Sequence, residues 1–358
     1  MDRRSFLKTS ALGGAAASTL AAPAYAQGRR TLTMVTSWGR GLAGVFDAAI
    51  TTANNINAVT DGTLTIDVKA AGELVGAFEV FDAVTSGQAD MYHAADYYFI
   101  NQHPGFAFFT GVPFGMTATE LNNWYYHGNG HALHDELTEI FGLKSFLAGN
   151  TGTQAGGWFR KEITGPEDFN GLKFRMPGLG GRVLGNMGAS VQNLPGAEVY
   201  QALSSGAIDG TEWIGPWADE KAGFQEITKF YYTAGMHEPS AGLSVATNRE
   251  VFDSLTPAHQ SAIEISAGHA NVWNLSQFLM NNGAALERLK AGGVKVLEFP
   301  DPVWDAMYVA SGAVYEEFLK DALFKKIYDD YQASMRASSG WLTQSIGAYR
   351  VQRDRVIG

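Results

Sequence analysis

The sequence predicts an α/β protein of two similar lobes with a cleft between them. At 358 residues it is longer than one hydrophobic core usually serves, which favours two domains. Strand-like and helix-like segments alternate along the chain, which favours mostly parallel sheets. One helix, turn and strand pattern occurs twice, which indicates that the lobes share a construction. A cleft between lobes is a common place for a ligand.

The first 26 residues predict an export signal. Arg3 and Arg4 precede a short Ala/Gly-rich stretch, and small residues before and at Ala26 indicate cleavage there. The paired arginines resemble the twin-arginine type of signal. The apolar run over residues 11–22 is shorter than the ~20 residues that a bilayer span needs. We therefore expect an exported mature protein.

The composition argues against several classes of function. The net charge of −10 disfavours nucleic acid and anionic membrane surfaces as partners. The absence of cysteine excludes disulfides, thiolate metal sites and a lipid-modified cysteine anchor. An anionic ligand would need a local cation, because the overall field repels it.

The first lobe is predicted to open with a strand, helix, strand unit. Its segments in order are strand 32–38, helix 45–59, strand 63–71, helix 77–85 and a short strand from about residue 89. Strand 63–71 places Leu64, Ile66 and Val68 on one face, the alternation of a half-buried strand.

The repeated pattern links the two halves of the chain. DAVTSGQAD (82–90) corresponds to QALSSGAID (201–209). In both copies a helix ends in Ser-Gly, where the glycine suits a left-handed cap, and an Asp then begins a strand.

The remaining segments complete the second lobe and lead to a helical C-terminus. Further strands are predicted at 143–148, 156–161, 172–177 and 242–248. Thr256-Pro257 is a good N-cap and first-turn pair for a helix that runs to about Lys290, long enough to span both lobes. Our domain prediction is 27–152 and 244–280 for lobe I, 153–243 and 281–303 for lobe II, and 304–358 for C-terminal helices.

Three stretches mix polar groups with glycines and aromatics, as a small-molecule cleft does. They are NTGTQAGGWFR (150–160), GLKFRMPG (171–178) and AIDGTEWIGPW (207–217). The pair Tyr97 and Tyr98 is an additional candidate, although such pairs more often belong to a core. The candidate ligand-binding residues are Arg175, Gln154, Trp213, Tyr98, Tyr97 and Asn150.

Arg175 is the candidate anion clamp. It lies in a strand otherwise made of Leu172, Phe174 and Met176, and its guanidinium can hold a carboxylate through two parallel hydrogen bonds. A surface arginine on the solvent face of the strand explains the spacing equally well.

Glu212 is the candidate metal ligand. It lies in an apolar, glycine-bracketed stretch where an unpaired carboxylate is costly to bury. With the side-chain oxygen of Gln154 it indicates a hard-cation site, and Glu238 is a weaker third candidate. The alternative is an ion pair with an arginine such as Arg160 or Arg182.

A histidine cluster supports a rival interpretation, a secreted metal-dependent hydrolase. His127 and His131 have the spacing of zinc ligands on a helix, and His134 and Glu136 lie nearby. The glycines between the first two disfavour such a helix, so ordinary surface histidines are favoured.

The chain resembles the solute-binding proteins of tripartite ATP-independent periplasmic (TRAP) transporters over essentially its whole predicted mature length. The resemblance rests on four stretches in the same order: AGELVGAFEVFDAVTSGQADM (71–91), GLKFRMPG (171–178), EVYQALSSGAIDGTEW (198–213) and NREVFDSLTPAHQSAI (248–263). It implies a two-lobed periplasmic binding protein fold with hinge strands, a long lobe-spanning helix and C-terminal helices. Arg175 matches the family's carboxylate-binding arginine.

Trp213 narrows the resemblance to a subgroup. Many members have Asn after the Glu of the Asp-Gly-x-Glu motif, so Trp at this position disfavours sugar acids and C4-dicarboxylates. The stretch is similar to members that bind 2-oxo and 2-hydroxy monocarboxylates, such as pyruvate or lactate, through Na⁺ or Ca²⁺. In that subgroup the metal ligands would be Gln154, Glu212 and the backbone carbonyl of Trp213. The subgroup also has C-terminal helices that can swap in a homodimer.

These observations predict a periplasmic binding protein rather than an enzyme, with no nucleic-acid partner. It would carry a small monocarboxylate to TRAP permease subunits in the membrane. A sensor module that binds the same ligand for a receptor is a second rival that the sequence does not separate from this prediction.

Overall fold

The computed structural model describes residues 28–358, so the predicted export signal lies outside the described residues. The described chain forms two mixed sheets with helices packed on them, which confirms the predicted two-lobed α/β fold. Within this part of the chain, no helix combines the length and the apolar character that a membrane crossing requires.

The first sheet has five strands in the order β2-β1-β3-β10-β4. Its strands are β1 (Arg30–Thr36), β2 (Leu64–Lys69), β3 (Met91–Ala94), β4 (Leu143–Asn150) and β10 (Gly242–Asn248). β1 is parallel to β2 and β3, whereas β10 is antiparallel to β3 and β4.

The second sheet has six short strands in the order β11-β9-β5-β8-β6-β7. They are β5 (Gly157–Phe159), β6 (Lys173–Arg175), β7 (Ser190–Gln192), β8 (Gly210–Thr211), β9 (Phe230–Tyr232) and β11 (Lys295–Leu297). β6 is parallel to β7 and β8, and β5 is antiparallel to β8 and β9.

Twelve α-helices connect and cover the sheets within residues 28–358. The first six are α1 (Val45–Val59), α2 (Val80–Thr85), α3 (Ala118–His127), α4 (Gly130–Glu139), α5 (Gly178–Asn186) and α6 (Gly196–Ser205). The others are α7 (Pro216–Ala222), α8 (Arg249–Asp253), α9 (Pro257–Ala291), α10 (Asp301–Phe318), α11 (Ala322–Leu342) and α12 (Ala348–Ile357).

The repeated sequence pattern forms the same structure in both lobes. α2 and α6 each end at a glycine in the left-handed region, with φ of 79° at Gly87 and 76° at Gly206. The Asp that follows then ties two strands together. Asp90 donates its N–H to the carbonyl of Thr33, and the carboxylate of Asp90 accepts the N–H of Thr33. Asp209 makes the same two hydrogen bonds with Lys173.

The lobes are joined by crossing strands and one long helix. β4 leaves the first sheet toward the second lobe and β10 returns beside it. α9 begins where Thr256 accepts the N–H of His259, as predicted from the Thr-Pro pair. It packs on β4 and α1 in the first lobe and on α7 in the second.

The hydrophobic core extends through both lobes, with a further cluster on the first sheet. That cluster joins Met34 of β1, Ile56 of α1 and Ile263 of α9. The C-terminal helices divide between the lobes, because α10 packs on α5 while α11 packs on α3 and α4. Tyr331 of α11 reaches the first lobe, where its hydroxyl oxygen accepts the N–H of Met116 at 2.5 Å.

Candidate functional site

The site forms where strands of both lobes end and face each other. In the second lobe, β6 and β8 are parallel, and Arg175 pairs with Thr211 in the register. Glu212 follows at the end of β8 and donates its N–H to the carbonyl of Arg175 at 3.2 Å. The carboxyl ends of parallel strands therefore place Arg175 and Glu212 side by side.

Arg175 and Glu212 form a buried ion pair. Arg175 is 1% exposed and Glu212 is 0% exposed, and Nη1 of the arginine donates to Oε1 of the glutamate. The guanidinium also donates to the carbonyl of Leu194 through Nε at 3.1 Å and Nη2 at 3.0 Å. It lies 5.3 Å from the ring centre of Trp213. Arg175 is therefore not a solvent-face residue.

In the ligand-free structure Glu212 pairs with an arginine, as the alternative interpretation of Glu212 allowed. Its partner is the anion-clamp candidate itself, and not Arg160 or Arg182. Arg160 donates to the carbonyl of Leu203, and Arg182 pairs with Glu317 at 3.1 Å on the surface. Burial is the largest single effect and acts to lower the pKa of Arg175, but Glu212, Tyr98 and Tyr97 together outweigh it, so that pKa is raised.

Tyr97 and Tyr98 come from the first lobe, directly after β3. They stand on a short 3-10 turn over Asp96–Phe99, with Tyr97 buried and Tyr98 partly buried. Burial raises the pKa of Tyr98 to about 12, against the opposing effect of Arg175. Both rings border a cavity of about 270 Å³ that Met176 lines from the second lobe. The pair therefore lies between the lobes, at a cavity whose lining does not include Arg175 or Glu212.

Gln154 and Glu238 lie on two segments that cross between the lobes. The N–H of Gln154 donates to the carbonyl of Glu238 at 3.0 Å, and the N–H of Ala155 donates to the carbonyl of Ile214 at 3.0 Å. These bonds bring the segment of Gln154 beside the segment that carries Glu212. Gln154 is 3% exposed and Glu238 is 2% exposed.

Three buried oxygens in this region have no hydrogen-bond partner among residues 28–358. They are Oε1 of Gln154, Oε2 of Glu212 and Oε2 of Glu238. An unpaired buried polar atom costs free energy, so a group of them needs an explanation. Carboxylate and amide oxygens are the ligands that hard cations such as Na⁺ and Ca²⁺ prefer, so the donor set fits such an ion.

Glu238 is the carboxylate whose surroundings most disfavour its charge. Burial is the main cause that raises the pKa of Glu238 well above its usual range. The neighbouring Glu212 raises this pKa further, while Arg175 opposes both effects. A bound cation would reverse this effect, because an opposite charge nearby stabilises the carboxylate.

His237 is a site residue that the sequence analysis did not select. It is buried, and its Nε2 lies 3.4 Å from Oε2 of Glu212 without hydrogen-bond geometry. Glu212, His237 and Glu238 are the one group of three such side chains within the described residues that could share a metal ion. One sign of this role was present in the sequence, because His237 directly precedes Glu238, which was already a candidate metal ligand.

Asn150 ends β4 close to the crossing segment. Its side-chain oxygen accepts the N–H of Gly152 at 2.8 Å, which shapes the loop that leads to Gln154. Its Nδ2 is buried and has no partner among residues 28–358, so it is a free donor. The structure gives this predicted ligand-binding residue a role in loop geometry.

The histidines of the rival hydrolase do not gather into a metal site. His127 ends α3 and His131 lies in α4, because the helix is interrupted between them. His134 is buried and bonded to Asp96 at 2.9 Å. Glu136 pairs with Lys326 on the surface at 2.5 Å.

Comparison with known proteins relates the chain to bacterial solute-binding proteins. The model of bacterial extracellular solute-binding proteins, family 7, matches residues 44–321. A monocarboxylate 2-oxoacid-binding periplasmic protein of Nostoc sp. is 41% identical over 309 residues, which cover 86% of this chain and 85% of that protein.

Two solved structures are similar over nearly the whole chain. A TRAP transporter solute-binding protein from Bordetella bronchiseptica superposes with a TM-score of 0.90 at 34% identity, covering 92% of this chain and 98% of that one. It is a mixed-occupancy dimer with copurified calcium and picolinate in one site. A TRAP periplasmic solute-binding protein from Pseudoalteromonas atlantica, with bound sodium and pyruvate, has a TM-score of 0.87 at 38% identity, covering 90% and 98%.

Proposed function

The chain belongs to family 7 of the bacterial extracellular solute-binding proteins, and we propose that it captures a small 2-oxo monocarboxylate such as pyruvate, or lactate, together with a cation. The observation that carries this proposal is the buried Arg175 at the junction of the lobes, beside unpaired oxygens of Gln154, Glu212 and Glu238. These groups supply one cationic clamp and one cation site within a single cleft.

Arg175 would hold the carboxylate of the ligand. Its Nε and Nη2 are fixed on the carbonyl of Leu194, so Nη1, which now donates to Glu212, is the group free to change partner. A carboxylate is recognised well by a guanidinium held in one orientation, because little rotational freedom is lost on binding.

When the ligand carboxylate binds Arg175, Glu212 would lose its ion-pair partner. The cation would then neutralise the carboxylate of Glu212. Gln154, Glu212 and the backbone carbonyl of Trp213 would hold the ion, with Glu238 as a further ligand. The second oxygen of a 2-oxo or 2-hydroxy acid would complete its coordination. Ligand and cation are expected to bind cooperatively, because each supplies the charge that the other's protein partner loses.

Closure of the lobes would exclude water from this arrangement. Tyr97 and Tyr98 approach from the first lobe while Arg175 and Glu212 belong to the second. In a dry cleft charge-assisted hydrogen bonds strengthen, so a micromolar Kd, about −8 kcal/mol, is reachable for one small anion. β4, β10 and α9 are the connections about which the lobes would open.

The closed form would deliver its ligand unchanged to a TRAP permease in the membrane. We propose that the protein works in the periplasm after removal of the first 26 residues, as the paired Arg3 and Arg4 and the small residues up to Ala26 predict. The bound groups serve to hold and release a ligand, so no catalytic turnover is expected.

The C-terminal segment would mediate a homodimer. α12 contains no buried residue, and Trp341, Tyr349 and Ile357 are 73%, 65% and 76% exposed. An apolar surface of this kind at a chain end is suited to a second copy. A chain ending at Leu342 should sediment as a monomer where the full chain forms a dimer. A full-length chain that sediments as a monomer would remove this part of the proposal.

The binding proposal is tested by calorimetric titration of metal-stripped protein with pyruvate, with and without Na⁺ or Ca²⁺. Heat of binding should appear only when a cation is present, and Arg175→Met should abolish it. Arg182→Met, which removes a surface arginine paired with Glu317, is the matched control and should bind as the wild type does. Unchanged affinity in Arg175→Met would rule out the clamp.

A further inference from the structure

One buried acid holds the turn after β8, which carries Trp213. Asp219 of α7 is 0% exposed. Its Oδ1 accepts the N–H of Ile214 and the N–H of Gly215, both at 3.0 Å. Its Oδ2 accepts the indole N–H of Trp158 in β5 at 2.9 Å. The two peptide groups that follow Trp213 therefore share one acceptor, the side chain of Asp219.

Building on the proposed function, we propose that Asp219 is a positioning residue of the ligand site, because its two hydrogen bonds to the turn keep Trp213 in place beside Arg175 and the cation. The backbone of Trp213 itself makes none of the hydrogen bonds found among residues 28–358. Its position in the cleft therefore depends on the hydrogen bonds of the residues beside it. On the C-terminal side of Trp213, Asp219 accepts two of them.

The bond to Ile214 fixes the direction of the Trp213 carbonyl. The carbonyl of Trp213 and the N–H of Ile214 belong to one peptide group, which is planar and trans. In a trans peptide group the carbonyl and the N–H point in opposite directions. Because the N–H is bonded to Asp219, the carbonyl faces away from it. The acceptor of this one bond thus decides where the proposed backbone ligand of the cation points.

The turn is also bonded to the segment that crosses between the lobes. The carbonyl of Ile214 accepts the N–H of Ala155 at 3.0 Å, while its N–H is bonded to Asp219. The turn is thus held from two sides, and a single bond would allow it to rotate. The indole of Trp213 would move with the turn, and its ring centre lies 5.3 Å from the guanidinium of Arg175. Loss of Asp219 should therefore loosen this contact.

The helix that carries Asp219 is itself fastened to the long helix α9. Glu220 of α7 pairs with Arg288 of α9 at 2.5 Å, and the N–H of Trp217 donates to the side-chain oxygen of Asn282 at 3.1 Å. A binding group is held most precisely when the residues that orient it are themselves locked by packing and hydrogen bonds. Asp219 meets this condition.

The positioning role needs an acceptor and not a charge. Both N–H groups of the turn are bonded to Oδ1, and a carboxyl group can accept hydrogen bonds whether it is ionised or neutral. The side-chain oxygen of asparagine could therefore replace Oδ1. In Asp219→Asn the amide nitrogen would then face the indole N–H of Trp158, which places two donors together. Trp158→Phe removes the indole N–H and with it this conflict.

Calorimetric titration with pyruvate in the presence of Ca²⁺ tests this role. Asp219→Ala should lose about tenfold or more of the wild-type affinity, the lower end of what losing a group that orients a metal ligand costs. Trp158→Phe is the matched control, because it removes the donor to Oδ2 and leaves the turn bonded to Oδ1. It should bind pyruvate as the wild type does. Asp219→Asn combined with Trp158→Phe should also keep the affinity.

Urea unfolding of the same proteins separates positioning from a general effect on the fold. Asp219→Ala and Trp158→Phe both remove buried, hydrogen-bonded groups, so both should lower the free energy of unfolding. Only Asp219→Ala should also lower the affinity for pyruvate. A loss of affinity in Trp158→Phe that follows its loss of stability would show a merely structural effect and overturn the positioning role.

Hydrogen exchange of single amides reports the turn without pyruvate or cation. In the metal-stripped wild type the amides of Ile214 and Gly215 should be protected, because Asp219 accepts both. Asp219→Ala should expose them to faster exchange, and the combined variant should restore the protection. Exchange at the wild-type rate in Asp219→Ala would show that Asp219 does not hold the turn.

The outcomes distinguish this inference from the function on which it rests. A wild type that binds neither pyruvate nor lactate with Na⁺ or Ca²⁺ would overturn the proposed function. A wild type that binds pyruvate, with Asp219→Ala of equal affinity, would overturn the positioning role alone. If Asp219→Ala does not fold, the combined variant decides, because a loss of affinity in that variant would contradict a role through hydrogen bonds.

Discussion

Removing either member of the Arg175–Glu212 pair should destabilise the ligand-free protein, and removing both should cost less than the sum. Arg175→Met removes the positively charged guanidinium, while Glu212→Gln removes the negative charge of the carboxylate with little change of side-chain shape. Both side chains are almost fully buried, so water cannot replace the lost partner. The pair is therefore suited to a double-mutant cycle.

The magnitude follows from what each variant leaves behind. Breaking a buried ion pair costs about 3–5 kcal/mol, because the remaining charge is uncompensated. Arg175→Met should lie at the upper end, since it leaves Glu212 beside Glu238 without a cation. Glu212→Gln should cost less, because Arg175 then still faces the second carboxylate. We expect a coupling energy of at least about 2 kcal/mol, within the range for residues in contact.

Urea unfolding of the metal-stripped, ligand-free proteins measures these differences. Far-UV circular dichroism and tryptophan fluorescence must give coincident transitions, so that one free energy of unfolding describes each variant. Similar m-values would show that the variants unfold the same surface. A coupling energy below about 0.5 kcal/mol, the value for independent sites, would refute the buried pair.

Two further changes test the wall of the site and the acid sensitivity of the first lobe. Burial lowers the pKa of His93 to about 4, so His93 should contribute a loss of stability as pH falls from about 6.5 toward 4, by up to ~1.4 kcal/mol per pH unit. His93→Gln should flatten this slope in urea midpoints, and an unchanged slope would show that another group titrates. Gly196→Ala should weaken pyruvate binding, because its Cβ would lie 2.2 Å from the Trp213 ring that packs on Arg175. Gly185→Ala, where no atom lies within 4 Å of the added Cβ, is the control, and equal calorimetric affinities for both variants would contradict the role of the tryptophan.

Features decided by a few neighbouring residues could be predicted from the sequence. Thr256 caps the long helix through a bond to His259, three residues away, so the helix start was readable locally. The turns at Gly87 and Gly206 were predictable for the same reason, because a left-handed residue favours glycine. Alternation of strands and helices then predicted the fold class.

The pairing of the site residues could not be predicted in the same way. A charged residue in an apolar stretch marks Arg175 and Glu212 as candidates, but nothing local says that they meet. Their ion pair joins residues 37 positions apart and depends on the parallel register of β6 and β8. The bond between Gln154 and Glu238 likewise depends on two segments that cross between the lobes.

Two other features required the three-dimensional structure. His237 is not part of any spacing pattern, and it becomes a site residue only because its segment packs beside Glu212. The apolar periodicity after residue 300 predicted helices but not their partners. α10 packs on the second lobe and α11 on the first, where Trp124 donates to Asp330 at 2.7 Å.

A crystal structure of the protein grown with pyruvate and Ca²⁺, with the ion located by its anomalous scattering, would examine the arrangement itself. We expect the ligand carboxylate on Arg175 and the ion bound by Gln154, Glu212, the backbone carbonyl of Trp213 and Glu238, at about 2.3–2.6 Å, the usual range for calcium and oxygen. An Arg175 still bonded to Glu212, with pyruvate bound elsewhere, would contradict it.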